Sequence, residues 1–256
     1  MTTTKNPKIN EDQSFVYNFS LSKAKIQAEK QKVLLTIQKN FKSKGFRPGK
    51  APLDIVETNT SPSDLIEELI SRLISPLYAT QIKKDKLQPI IPPQLKFLNP
   101  PISLDKDWQI EITACQLPIL KLKSDYQSQI KKIKAKDDTD KMNQIVQILI
   151  KNSQVKFPQV LIDIDLQKQL SSLVNQTKQA GLTVDQYFKS QKTTLVDYRQ
   201  KLAAQIKDQW ILNLSLNKIS GTEKITVNQT DQKKAGPQTS PHLIIQQKTL
   251  DFLKAL

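Results

Sequence analysis

The residue types that carry catalytic chemistry are few in this sequence and stand apart from one another. His242 is the only histidine and Cys115 the only cysteine. The sequence around His242 indicates no Ser-His-Asp or Cys-His arrangement, and Cys115 has no histidine or basic cluster beside it. A single cysteine also excludes an intrachain disulfide and gives no sign of an oxidising compartment. We therefore predict a surface position for His242. For Cys115 we predict a structural role, either on the polar side of its strand or on the second face of a covered sheet.

Two further patterns resemble ligand sites but lack essential positions. Asp137, Asp138 and Asp140 form an acidic trio, yet the glycine and glutamate of a calcium-binding loop do not follow at the required spacing. The run GFRPGK is followed by alanine rather than Ser or Thr and lacks the leading spacing of a phosphate-binding loop. The trio is therefore expected to start a helix. We predict no metal, no cofactor and no nucleotide hydrolysis.

The most informative stretch is KSKGFRPGKAP, residues 42–52, which holds two of the five glycines in the chain. Glycines permit backbone angles that other residues avoid, and the two prolines fix φ and stop the helices on either side. We expect a tight, rigid loop that points Phe46 and Arg47 outward. The guanidinium offers a planar fork for phosphate or carboxylate, and the ring offers an apolar anchor. The supporting positive charges are Lys42, Lys44 and Lys50.

The net charge of the chain is +15, which favours a polyanionic partner or an acidic surface. Residues 1–50 hold 11 basic and 3 acidic residues, whereas residues 51–120 hold 6 basic and 9 acidic ones. Residues 121–256 hold 22 basic and 12 acidic residues. The first excess surrounds the loop described above. For the last excess, a solvated surface in a lysine-rich protein is an equally good explanation.

The elements around the loop predict an α+β domain over residues 14–120, preceded by a loose N-terminus over residues 1–13. Apolar residues alternate from Phe15 to Leu21 and from Trp108 to Ala114, as in half-buried strands, and QLKFL is expected to be a short edge strand. A basic helix is predicted over residues 23–41. A second helix is expected to start with Ser61 as its N-cap and to kink or end at Pro76.

The remaining chain is predicted to be almost entirely helical. Residues 121–136 are basic and weakly apolar, and we interpret them as a linker or the polar start of a helix. Thr183 and Thr194 are expected to cap helices, and Gly181 to end one. The further expected segments are a helical domain over 137–256, a flexible joint at 233–241 and a last helix over 243–256. The start of the chain lacks an apolar segment of signal-peptide type, and we predict no membrane span.

GFRPGKAP resembles the ribosome-binding signature of trigger factor, the bacterial nascent-chain chaperone family, usually written G-F-R-x-G-K-x-P. VYNFSLSKAKIQAEKQKVLLTIQKNFK is similar to the first strand and helix of the family, and DWQIEITACQLPILKL to the strand that closes its ribosome-binding domain. The resemblance covers roughly residues 14–232. It implies a ribosome-binding domain over 14–120 and a chaperone domain with helical arms over 137–256. It also implies ribosome contacts at Gly45, Phe46, Arg47, Pro48, Gly49 and Lys50.

Three departures from the family pattern affect what the resemblance implies. Trigger factors carry an FKBP-like prolyl isomerase domain between the two parts, and residues 121–136 are too few to form any domain. We therefore expect no isomerase activity and no other enzymatic activity. Pro48 stands where many members carry lysine, which removes one positive charge. The strand before Phe15 is degraded, and the end of the C-terminal domain is shortened.

The function implied by the resemblance is that of an ATP-independent chaperone in the cytoplasm, docked at the ribosome exit tunnel. Its partners would be ribosomal RNA and protein together with nascent or unfolded polypeptides, and no membrane. Two alternatives stay open: a ribosome-independent chaperone of the SurA type, and a basic RNA-binding protein without clients. The sequence does not identify client-contacting residues, and weak self-association away from the ribosome also stays open.

Overall fold

The structure is a computed structural model that describes residues 7–42, 45–47, 49–236 and 238–256. The chain divides into two compact units. The first is Ser14–Leu117 with the described residues before Glu11, and the second is Glu11–Gln13 with Pro118–Leu256. Each unit has its own hydrophobic core.

The sheet of the first unit is small and antiparallel. Its strands are β1 (Ser14–Leu21), β2 (Gln94–Phe97) and β3 (Trp108–Cys115), in the order β1-β3-β2. The apolar alternation seen in the sequence sets the register, because Phe15 pairs with Ala114 and both side chains are fully buried. The short strand QLKF lies at the edge, as expected.

The helices of the first unit cover the sheet. They are α1 (Lys23–Asn40), α2 (Leu53–Thr58) and α3 (Pro62–Asp85). The expectation that Pro76 could end α3 is wrong, since the helix continues to Asp85. The proline ring is exposed, while Leu73 and Ile74 before it are buried in the core. Packing of the apolar face therefore outweighs the one backbone hydrogen bond that proline removes.

Ser61 is the N-cap of α3, but its side chain makes no capping hydrogen bond. Its hydroxyl lies 2.7 Å from the hydroxyl of Ser63 instead. Thr183 and Thr194 do cap their helices, and Thr183 forms the full capping box with Gln186. The capping pattern therefore predicted the start of all three helices correctly. It predicted the capping hydrogen bond of the side chain correctly for two of them.

The second unit is mostly helical, with one short antiparallel strand pair. Its elements are β4 (Leu120–Leu122), α4 (Tyr126–Lys131), α5 (Asp138–Asn152), β5 (Ser153–Val155), α6 (Gln159–Gln179), α7 (Val184–Ser190), α8 (Leu195–Thr222), α9 (Gln229–Ala235) and α10 (Pro241–Ala255). The long helix α8 contributes to two apolar clusters. Leu202 and Ile206 pack with α6, and Leu216 packs with α4, α5 and α10. The helices and the small antiparallel sheet confirm the α+β class.

Residues 121–136, expected to be a linker or the polar start of a helix, and residues 233–241, expected to be a flexible joint, both include helical residues. Within residues 121–136, α4 buries Tyr126 and Ile130 in the core of the second unit, because they lie one helical turn apart on the same face. Within residues 233–241, α9 continues to Ala235 and α10 begins at Pro241. The side chain of Gln232 donates hydrogen bonds to the carbonyl oxygens of Gly236 and Thr239.

In the part of the chain that the structure describes, no helix combines the length with the apolar character needed to cross a bilayer.

Candidate functional site

The candidate site is the loop between α1 and α2, residues 42–52. Helix α1 ends at Asn40, and the backbone N–H of its C-cap residue, Phe41, bonds to the carbonyl oxygen of Gln38. Gly45 and Gly49 both have positive φ, at 88° and 79°. These are left-handed angles at which other residues are strained, which explains why two of the few glycines fall here.

Three contacts fix the loop at its exit. The side-chain nitrogen of Gln38 donates a 2.6 Å hydrogen bond to the carbonyl oxygen of Ala51, a residue only 1% exposed. The N–H of Lys50 donates to the carbonyl oxygen of Arg47 at 2.9 Å and closes a turn. Gly49 lies against α1, since a Cβ built on it would be 3.5 Å from the carbonyl oxygen of Lys39. The loop is therefore held to the last turn of α1.

The predicted contact residues of this loop are exposed. Phe46 is 41% exposed, and Arg47, Lys50 and Lys42 are also on the surface. Among the described residues, the guanidinium of Arg47 has no ion-pair partner. Lys44 and Pro48 lie outside the described residues. The loop therefore presents an exposed aromatic ring next to a cation that has no ion-pair partner within the described ranges.

Side-chain contacts join the helices behind the loop. Lys30 of α1 lies 2.5 Å from Glu57 of α2, and the guanidinium of Arg72 on α3 donates a 3.4 Å hydrogen bond to the hydroxyl of Thr36 on α1. A groove of about 660 Å³ lies between α1 and α3, and Lys42 is among the residues that line it. The loop thus extends from a three-helix support rather than from an isolated turn.

The other sequence candidates do not form a site. Cys115 is fully buried, so the covered second face is the correct alternative for it. His242 is exposed and lies 3.1 Å from the side-chain nitrogen of Gln246. The carboxylate of Asp137 accepts the N–H of Asp140 and caps α5. Across the described residues, no group of three His, Cys, Asp or Glu side chains could hold a metal ion.

The geometry of the helix start also explains why the pKa of Asp140, a member of the acidic trio, is lowered. The backbone N–H of Lys136 donates to the carboxylate of Asp140 at 3.0 Å and, with a weaker contribution from Gln144, lowers the pKa of Asp140. Hydrogen bonds to the ionised form are the cause. Asp137 and Asp140 therefore serve the start of α5, whereas Asp138 forms an ion pair with Lys254.

Sequence reasoning missed a partly buried polar cluster in the first unit. The hydroxyl of Tyr17 donates to Asp85 at 2.5 Å, and the side chain of Gln81 donates to the same carboxylate oxygen at 2.9 Å. Burial, followed by this hydrogen bond, raises the pKa of Tyr17 well above its usual range. Burial also raises the pKa of Tyr78 to about 12. Gln81 and Asp85 lie four residues apart on α3, and this spacing was the only signal in the sequence.

The family model of the bacterial trigger factor protein matches residues 1–149. The chain belongs to the trigger factor family. A second model, that of the trigger factor C-terminus, matches residues 119–250. The resemblance carried by GFRPGKAP is therefore confirmed, and no prolyl isomerase domain of the family is detected.

Individual relatives agree with the two models. The trigger factor of Bdellovibrio bacteriovorus is 31% identical over 133 residues, which are 51% of this chain and 29% of that protein. The trigger factor of Finegoldia magna is 28% identical over 114 residues, or 43% of this chain and 26% of that protein. The matched region thus spans less than a third of the length of these curated relatives.

A solved structure shares the fold along the whole chain. It is that of a trigger factor chaperone, described in terms of promiscuous substrate recognition in folding and assembly. It matches with a TM-score of 0.60 at 11% identity, and the match covers 100% of this chain and 99% of that one. At this identity the likeness supports the trigger factor fold alone.

Proposed function

We propose that this chain is a ribosome-docked, ATP-independent chaperone of the trigger factor family and that the loop over residues 42–52 is its docking element. The observation that carries the proposal is the exposure of Phe46 beside Arg47 on a loop fixed to the end of α1. Gly45, Pro48, Gly49 and Lys50 would complete the contact, with Lys42 and Lys44 as supporting charges. Docking at the exit tunnel would place the protein in the cytoplasm.

The chemistry of the loop fits a surface composed of RNA and protein. A guanidinium can bind a phosphate or a carboxylate through two parallel hydrogen bonds, and a half-exposed aromatic ring gains affinity when a pocket covers it. Holding both side chains on a fixed backbone lowers the entropy lost on binding. Binding through Arg47 and the neighbouring lysines should weaken as salt concentration rises.

The second unit offers surface for unfolded clients. Leu195 and Val196 at the start of α8 are exposed, and so is Leu182 before α7. The rings of Phe188 and Tyr198 lie 5.3 Å apart and hold α7 against α8 beside these residues. Exposed apolar side chains on a fixed support can hold extended apolar segments weakly. Weak contacts allow release without nucleotide hydrolysis.

We propose no prolyl isomerase activity for the chain. The two family models overlap over residues 119–149, and this stretch holds β4, α4 and most of α5, which contribute to the core of the second unit. In a refolding reaction limited by proline isomerisation, the protein should not accelerate folding when it is added in amounts well below the concentration of the substrate protein. A rate that rises with its concentration would contradict this part of the proposal.

An aggregation assay tests client binding. The native protein should suppress light scattering by guanidinium-denatured luciferase equally well with and without ATP. The variant Leu195→Ser/Val196→Ser should suppress it less, whereas Leu95→Ser/Leu98→Ser, which removes two exposed leucines from the first unit, should match the native protein. Equal suppression by both variants would show that the start of α8 does not contact clients.

A further inference from the structure

A second basic surface lies far along the sequence from the docking loop. Within residues 121–136, six lysines are exposed: Lys121, Lys123, Lys131, Lys132, Lys134 and Lys136. Because this segment folds into β4 and α4, its lysines have defined positions. Four of the exposed lysines, Lys121, Lys123, Lys132 and Lys151, lie on backbone segments that meet at one corner of the second unit, and we call them the lysine corner.

The pairing of β4 with β5 positions two of these cations. Lys121 pairs with Gln154 and both are exposed, so the solvent face of this strand pair carries Lys121. The N–H of Lys123 donates to the carbonyl oxygen of Asn152 at 3.0 Å and continues the ladder. Lys123 therefore follows Lys121 on the same face, two residues along.

The same asparagine positions the other two cations. Asn152 is buried, and its side chain donates to the side-chain oxygen of Gln129 on α4 at 3.0 Å. Lys132 follows Gln129 by three residues, which places the two on one side of the helix end. Lys151 precedes Asn152 in the last turn of α5. Asn152 thus joins the three backbone segments that carry the lysines.

Carboxylates near the lysine corner make their direct contacts with other groups. Glu11 forms an ion pair with Lys156, although the charge of Lys121 also contributes to lowering the pKa of Glu11. Asp125 accepts a 2.7 Å hydrogen bond from Gln129. Asp138 pairs with Lys254 on α10. Among the described residues, none of the four lysines has a carboxylate oxygen within ion-pair distance. Within the described ranges, the corner therefore carries an excess of positive charge, of which Glu11 offsets only a part.

We propose that the lysine corner binds the phosphate backbone of ribosomal RNA, as a contact separate from the docking loop. Ammonium groups are strongly hydrated point charges that attract phosphates without selecting a base, and backbone contacts of this kind give sequence-independent affinity. The RNA is assigned to the ribosome on the basis of the proposed docking function. A lipid surface fits less well because the corner offers only the exposed Ile119 as an apolar anchor, whereas interfacial binding needs an apolar face.

The test compares three variants of the full chain for binding to a short fluorescein-labelled RNA duplex and to ribosomes. The first is Lys121→Gln/Lys123→Gln/Lys132→Gln. The second is the arginine version of the same three changes, which retains the charge. The third is the matched control Lys168→Gln/Lys178→Gln/Lys189→Gln, which removes three exposed lysines elsewhere in the second unit. Circular dichroism checks that each variant is folded.

We expect the glutamine variant at the corner to lose about tenfold or more in duplex affinity at low salt and to lower the salt slope by about 3. The arginine version should retain native affinity, and the control should lose clearly less. Ribosome affinity should fall in parallel. A Phe46→Ala/Arg47→Ala variant should still bind the duplex, which separates failure of the docking loop from failure of the corner.

Three results would overturn the proposal. The first is native duplex affinity in the glutamine variant at the corner, or an equal loss in the control. The second is a corner-dependent loss of duplex binding without any change in ribosome affinity, which would exclude ribosomal RNA. The third is corner-dependent binding to vesicles of anionic phospholipid that is as tight as binding to RNA, which would assign the surface to a membrane.

Discussion

The side-chain nitrogen of Gln38 lies 2.6 Å from the carbonyl oxygen of Ala51, thirteen residues along the chain. This hydrogen bond joins the last turn of α1 to the exit of the docking loop, and Ala51 is almost completely buried. The loop is therefore closed at its base by a side chain outside the GFRPGK motif. The position of Phe46 and Arg47 depends on a contact that the motif itself does not contain.

Replacing Gln38 by alanine should destabilise the first unit and loosen the loop. The change leaves the buried carbonyl oxygen of Ala51 without a donor, which costs about 1–3 kcal/mol in free energy of unfolding. Amide hydrogen exchange of residues 45–51 should accelerate. Gln31→Ala is the control, because Gln31 is an exposed residue on the same helix. Equal effects of the two changes would mean that the Gln38 contact does not hold the loop.

Gly49→Ala should destabilise the protein through its backbone. The φ of Gly49 is 79°, which costs a residue with a Cβ about 1–2 kcal/mol. The added Cβ would meet Lys39 only at ordinary contact distance, so a steric clash contributes little. Gly221 gives the opposite control, because it lies within α8 with open space around it.

The two glycine variants should therefore move the urea midpoint in opposite directions. Gly221→Ala is expected to stabilise the protein by about 0.5–1 kcal/mol, since alanine favours the helix. If Gly49→Ala is as stable as the native protein, the left-handed angle at residue 49 is not required.

Local patterns predicted the first unit well. Alternation from Phe15 to Leu21 gave the strand and its buried face, and the glycines with their prolines located the loop. Pro76 gave a wrong prediction of the helix end because helix propensity is a local property. The continuation of α3 to Asp85 is determined by the packing of its apolar face. The hydrogen bond from Gln38 to the carbonyl oxygen of Ala51 could not be predicted, because a glutamine on a helix is normally a solvated residue.

The second unit was predicted less well in one segment. Residues 121–136 contain few apolar side chains, and only the fold shows that Tyr126 and Ile130 face a core made by distant helices. Composition cannot distinguish a linker from a short helix that packs with two residues. The same reason hid the lysine corner, whose members are joined by strand pairing and by Asn152.

Ile130→Ala tests whether α4 belongs to the core. Ile130 is 1% exposed, and truncating a buried isoleucine costs about 2–5 kcal/mol. The neighbouring Lys131 is exposed, so Lys131→Ala should change the free energy of unfolding by less than about 0.5 kcal/mol. Denaturant unfolding of the second unit measures both. If both changes lower the free energy of unfolding only slightly, residues 121–136 are a linker and α4 does not belong to the core.

Tyr17 and Tyr78, whose rings lie 6.2 Å apart, should make the stability of the first unit sensitive to alkaline pH. Tyr17 and Tyr78 have pKa values raised above their ordinary value of 10, in the case of Tyr78 to about 12. The unfolded state therefore ionises first as pH rises, and the free energy of unfolding should fall between pH 10 and about 12. Below pH 10, both tyrosines are neutral in the folded and the unfolded state, and their contribution to the free energy of unfolding is fully present.

Tyr17→Phe and Tyr78→Phe should each flatten this alkaline decline, because neither phenylalanine ionises. Urea unfolding at a series of pH values, with tyrosinate absorbance recorded in parallel, provides the comparison. If the variant that carries both changes loses stability with pH as steeply as the native protein, groups other than these two tyrosines cause the decline.

The measurement that tests the docking proposal most directly is the affinity of the folded protein for ribosomes, determined by co-sedimentation at moderate salt. Phe46→Ala/Arg47→Ala should raise Kd by about tenfold or more, since a central aromatic and an arginine each contribute on the order of 1–2 kcal/mol. Lys96→Ala/Leu98→Ala, which removes one exposed cation and one exposed apolar side chain beside the edge strand β2, should leave Kd unchanged. Native affinity in the Phe46→Ala/Arg47→Ala variant would contradict the assignment of this loop as the docking element.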